Sequence, residues 1–153
     1  MKLTVRGEYV LRSLVVLGVN HGRGVIQVGQ IARQQNIPKR FLEQILNDLK
    51  EAGVVESRRG ARGGYHLARP PEKISLVEVI RLIDGPLAPV SCVSEKFYER
   101  CSCPDESRCG IRSIMKEVRD AILTILGKLT VADLCDRVRQ LQGQHENPFD
   151  YVI

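Results

Sequence analysis

Apolar residues fall in two rhythms along this chain, and the change of rhythm divides it. From Val5 the segment VRGEYVLRSLVVLGVN is almost unbroken until the loop HGRG, which predicts a largely buried first helix. VGQIARQQN follows as a short amphipathic helix with Ile31 and Ala32 inward. After the turn NIP, the segment PKRFLEQILNDLKEAG places Phe41, Leu42, Ile45, Leu46 and Leu49 in one helical stripe. Lys39, Arg40, Glu43, Gln44, Asn47 and Lys50 lie off that stripe. Pro38 suits a first helical turn, where its missing N–H would be unpaired in any case. Beyond Gly53 the period drops to two. VVESR and YHLA read as short strands flanking RGARGG, whose glycines allow a tight hairpin.

ARPPEK is a stiff connector, and Ser75 with Glu78 has the spacing of a capping box, so a fourth helix is expected to run to Gly85–Pro86. Residues 85–110 show no apolar period and read as a loop. Ile111, Met115, Val118, Ile122, Ile125 and Leu129 then recur every three or four residues, the seam of a long helix that packs on another helix. Thr130 and Asp133 offer a second capping box for a last helix through about Gln142, and HENPFDYVI reads as a loose tail. The whole is mainly α with a small β-hairpin wing. It divides into a winged helix-turn-helix domain at 1–84, a cysteine-rich loop at 85–110, the long helix and C-terminal helix at 111–143, and a tail at 144–153.

Charge sharpens this picture. Residues 1–73 carry a net +7 and residues 74–153 a net −2. A basic half on a nearly neutral remainder suits a polyanion, although a merely solvated basic face has the same composition. In a helix-turn-helix, the second helix enters the major groove with its N-terminal residues at the base edges. Gln44 can read adenine, Arg40 guanine, and Glu43 can accept from cytosine. Lys39 and Lys50 suit phosphates, and Arg58, Arg59 and Arg62 on a glycine-rich tip suit a minor groove. Double-stranded DNA is therefore the expected partner. No run of about 18 apolar residues exists, so no membrane span is expected. Arg6 and Glu8 fall where a secretory signal would be apolar, which points to the cytoplasm. No Ser/His/Asp set or phosphate loop appears, and GARGG lies in a hairpin rather than a strand-to-helix turn, so an enzyme is not expected.

Four of the five cysteines crowd into CVSEKFYERCSCPDESRC, residues 92–109. A reducing compartment and an odd count argue against a disulfide framework. Thiolates are soft donors that select iron–sulfur clusters, zinc or copper(I). Cys135 shares a helical stripe with Val131, Leu134 and Val138 and reads as a small buried hydrophobe. His21 and His145 carry no special role, and His66 in the wing reads as a packing residue.

The run QIARQQNIPKRFLEQILNDLKEAGVVESRRGARGGYHLARPPEKISLVEVI closely resembles the Rrf-type family of bacterial winged-helix transcription regulators. The likeness extends from MKLT to about Gly143, and RGARGGYHLARPPEKISL is its most specific part. The resemblance implies a homodimer whose long helix crosses its partner, with two wings on a palindromic operator. It also implies the cluster-binding branch, in which three loop cysteines hold an iron–sulfur cluster, usually [2Fe–2S]. Cys92 matches the first of these cysteines, and Cys103 and Cys109 have the five-residue separation of the last two. Cys101 is additional, and serves as a substitute for Cys103 or as a fourth ligand. Some members place a histidine three residues after the last cysteine; here that residue is Arg112, which cannot ligate. Others use an acidic residue near the start of the first helix, a position held by Glu8. The resemblance thus implies a regulator sensing iron–sulfur, iron, nitric oxide or redox status. The alternatives are [4Fe–4S], a structural zinc, a thiol redox switch on the same DNA-binding frame, or, remotely, a cluster-carrying redox protein that binds no DNA.

Overall fold

A computed structural model of the chain describes residues 1–145, and of these the side chains as far as Gly143. Six helices and one hairpin follow in order: α1 Val5–Val19, α2 Val28–Gln35, α3 Lys39–Glu51, β1 Val55–Arg58, β2 Gly64–Leu67, α4 Leu76–Asp84, α5 Gly110–Leu126 and α6 Val131–His145. Short 3-10 turns at Pro71–Lys73, Ser91–Val93 and Glu106–Arg108 interrupt the connections. The fold class is the expected one, mostly helical with a two-stranded antiparallel wing. The helix expected to stop near Gln142 continues to His145, and the tail expected from there lies outside the described residues.

The described residues gather into two compact units, one of residues 9–74 with 130–145, the other of residues 1–8 with 75–129. The first is the winged unit. Leu42, Ile45, Leu46 and Leu49 of α3 are all fully buried there, beside Leu14, Leu17, Ile31 and Val54. Phe41, read as part of that stripe, is 39% exposed and meets Tyr9 edge-on at 5.8 Å. The reason is geometric: four buried positions already fill the inward arc of α3, and Phe41 falls at its margin.

Local chemistry fixes the turns. Asn36 closes α2 in the left-handed conformation (φ 51°, ψ 49°), which asparagine tolerates better than most side chains. Ile37 is buried beneath that corner, and Pro38 caps α3. In the hairpin Val55 pairs with Leu67 and Arg58 with Gly64, while Ile26 adds an isolated bridge to Tyr65. Gly60 turns the tip with φ 108°, and a Cβ on Gly64 would strike the carbonyl of Ile26. Gln27 Nε2 donates to the carbonyl of Ala61 at 3.2 Å, fixing the tip against the start of α2. Cys135 on α6 is buried as expected, its thiol 3.6 Å from the carbonyl of Val15.

The two capping boxes have different outcomes. Thr130 and Asp133 form theirs: the Thr130 hydroxyl and N–H both reach Asp133 Oδ2, at 2.7 and 2.8 Å, and the Asp133 N–H returns to Thr130 Oγ1. Ser75 makes no side-chain cap bond. The first N–H of each helix makes a tertiary bond in both cases, Leu76 to the carbonyl of Leu129 at 3.0 Å and Val131 to that of Ile74 at 2.9 Å.

Candidate functional site

Every side chain read as a DNA contact belongs to the winged unit and faces solvent: Lys39, Arg40, Glu43, Gln44 and Lys50 on α3, and Arg58, Arg59 and Arg62 on the wing. Lys39 and Glu43 approach to 4.0 Å across one helical turn. At such exposure the pair contributes little and is readily given up to a competing phosphate. His66 spends its ring on the opposite strand, Nδ1 lying 3.3 Å from the carbonyl of Glu56.

The second site is the cysteine loop, within the other unit. Its entry turn, Ser91–Val93, buries Cys92 and Val93 with Ala88, and Cys101 and Met115 pack partly against them. Two arginines of α5 secure this turn. Arg112 Nε donates to the carbonyl of Cys92 at 3.3 Å, and Arg119 Nη1 to that of Val93 at 2.6 Å. At the exit, Asp105 accepts from the N–H of Ser107 at 3.0 Å and from its hydroxyl at 2.6 Å, which starts the turn Glu106–Arg108. Cys109 then caps α5, its sulfur accepting from the N–H of Arg112 at 3.4 Å.

Between entry and exit the donors converge. One ligand atom from each of Cys92, Cys101 and Glu106 lies within 4.8 Å of the others. Cys103 and Cys109 bring their sulfurs to 3.8 Å. Hydrogen bonding with Cys103 holds the Cys101 thiol below the ordinary thiol range. The same bond, then the one with Cys109, and then burial, push Cys103 up to about 12. Burial, followed by the charge of Cys101, raises Cys92. These sulfurs must shed their protons to ligate, so a bound cation and the protons exclude one another. Four soft sulfurs in one loop match the donor set of an iron–sulfur centre. Cys92, Cys101, Cys103 and Cys109 would hold it.

Glu8 lies exposed on α1 and is not part of this convergence. Along the expected seam, Ile111, Val118 and Ile125 are exposed, whereas Met115 and Ile122 are half-buried. Leu129 lies beyond α5, because Gly127 ends the helix. Ile114, absent from that seam, joins the exposed stripe at 59%. Sequence reasoning also missed Glu106, Arg112 as a brace, and Arg119. An acidic residue three positions before Cys109, inside the cysteine run, was the available signal for Glu106.

Residues 3–137 match the family described as Rrf2, iron-dependent transcriptional regulator. The chain belongs to the Rrf2 family of transcription regulators. It is 40% identical to an rrf2-like HTH-type transcriptional regulator of Rhodobacter capsulatus over 86% of this chain and 91% of that one. With the HTH-type regulator CymR of Bacillus subtilis it shares 32% identity over 99% of its own length and all of that protein's. Among solved structures, that of CymR, the global cysteine regulator of B. subtilis, superposes with a TM-score of 0.76 at 31% identity, covering 90% of this chain and 98% of that one. The structure of T. potens IscR gives 0.73 at 27%, covering 93% and 91%. An Rrf2 winged helix with an arginine-tipped wing is a DNA-binding transcription regulator, and its relatives are regulators too.

Proposed function

We propose that this regulator acts as a homodimer on a palindromic operator, and that an iron–sulfur cluster in the loop 92–109, of the [2Fe–2S] type, controls its grip. The observation that carries this reading is the gathering of four cysteines as two close sets, Cys92 with Cys101 and Cys103 with Cys109, on one loop braced to α5. Such a cluster supplies a centre whose charge and ligation respond to iron supply, oxidants or nitric oxide. The chain's own residues supply the rest. Arg112 and Arg119 hold the entry turn, and Cys109 ties the exit to the first turn of α5. The exposed apolar stripe of Ile111, Ile114, Val118 and Ile125 supports a second copy docking along α5. Two copies then present two α3 helices to half-sites about one duplex turn apart.

Oxygen-free purification, iron and acid-labile sulfide analysis, and operator gel shifts with loaded and stripped protein test this reading. Iron and sulfide with a loading-dependent shift are expected. Colourless protein with stoichiometric zinc would sink it.

One distance favours a second reading, a thiol switch on the same DNA-binding frame. The sulfurs of Cys103 and Cys109, 3.8 Å apart, need only close to about 2.05 Å to form a disulfide. A peroxide would take up the two electrons and two protons released. Operator affinity that survives removal of all metal and falls only on oxidation would select it.

A further inference from the structure

Glu106 stands out among the polar groups of the described residues. Its carboxylate is two-sided. Oε2 accepts the hydroxyl of Tyr98 at 2.8 Å, which fixes the plane of the group. Oε1 is buried and has no hydrogen-bond partner; the nearest cation, Arg112 Nε, is 3.8 Å away, beyond hydrogen-bond reach. A buried carboxylate oxygen that accepts no hydrogen bond is costly, and the distant Arg112 cation offsets that cost only in part. This carboxylate belongs to the group formed with the sulfurs of Cys92 and Cys101, all within 4.8 Å.

Its placement is built rather than incidental. Asp105 starts the turn that carries Glu106 inward, Tyr98 orients it, and Arg112 spans Glu106 and the carbonyl of Cys92. Charge gives a further reason. An acidic group set beside two thiols is repelled once either ionises, and a cation among the three reverses that penalty.

We infer that Glu106 is a metal ligand of the loop, its free oxygen competing with the sulfurs of Cys92 and Cys101 for the terminal positions of one metal ion. This rests on the cluster reading above. Cys103 and Cys109 form the other donor pair, so the loop holds one donor more than a [2Fe–2S] cluster requires. A carboxylate is the hardest and weakest donor of the five toward iron bound to sulfide, and is the one that yields first to an incoming ligand. Tyr98 is a positioning residue, since it acts on the metal only through Glu106.

The test uses the full chain, reconstituted without oxygen from ferrous iron and sulfide, beside Glu106→Gln, Glu106→Cys and, as a control at an exposed position, Glu99→Gln. Iron release to a chelator, the visible absorption, and the electron paramagnetic resonance of the reduced cluster are read for each. Glu106→Gln is expected to release iron about 10-fold faster or more and to move the resonance. Glu106→Cys is expected to retain iron with an absorption shifted toward all-sulfur ligation, which a merely structural role would not produce. Glu99→Gln is expected to match the parent. Unchanged release and spectra in both Glu106 variants, with the parent loaded, overturn the ligand assignment and leave the cluster reading standing. A parent that takes up no iron overturns both.

Discussion

The winged unit and the cysteine unit are built on opposite plans. The first encloses a continuous apolar core in which Leu14, Ile31, Leu42, Ile45, Leu46 and Leu49 are fully buried, and it satisfies its corners with local devices. The second buries little: among its residues only Leu76, Val79, Ile80, Leu87, Ala88, Cys92 and Val93 are apolar and enclosed, and α5 buries none at all. In place of a core it has donors, braces and an uncovered stripe. The lesson is a division of labour. On the function proposed here, a unit that presents Arg40 and Gln44 to DNA needs rigidity, whereas one that responds to a cluster needs stability supplied from outside itself.

The largest test of that contrast is a truncation in the core. Leu46→Ala is expected to cost about 2–5 kcal/mol, read by urea denaturation, and to unfold the winged unit first. Equal resistance of the two units to such truncations would abolish the contrast. Next comes Val118→Glu, which places a charge on the uncovered stripe of α5. Sedimentation is expected to show monomers while far-UV circular dichroism stays unchanged, because the site is surface in the single chain. Smaller still is Arg62→Ala on the wing. It should leave stability within about 0.5 kcal/mol and lower the salt slope of operator binding by about 1.

The finest probe is pH. Hydrogen bonds from the Thr130 hydroxyl, then from its N–H, hold the Asp133 carboxyl below the usual range. A depressed folded value stabilises fully above the unfolded pKa of about 3.9, and that contribution drains away as pH falls through the lower folded value. Thr130→Ala should therefore narrow its stability deficit as pH drops below about 4, measured by denaturation across that window.

Much of the winged unit was legible because helical periodicity reports burial directly. Leu42, Ile45, Leu46 and Leu49 are buried as their spacing required, and the change to period two marked the hairpin. Phe41 was misread because a stripe's margin is set by what packs beside it. The seam from Ile111 to Leu129 was half legible for a related reason. Periodicity finds an apolar helix but cannot divide its circumference, and in α5 Met115 packs against the entry turn and Ile122 is half-buried while Ile111, Ile114, Val118 and Ile125 face out. Ser75 and Thr130 show the same limit in capping. Both had the right spacing, and the first N–H of each helix makes a tertiary bond, Leu76 to Leu129 and Val131 to Ile74, yet only Thr130 forms its box, so spacing alone does not decide. Glu106 was illegible because its role comes from a short turn within an aperiodic loop, where spacing carries no direction.

The sulfur of Cys109 occupies the first turn of a 17-residue helix. That helix is about 25 Å from end to end, and its root is therefore a fulcrum. Swinging it by about 5° there sweeps the far tip through about 2 Å. If the proposed cluster shifts that sulfur, the displacement would grow along α5 before it reaches Leu126.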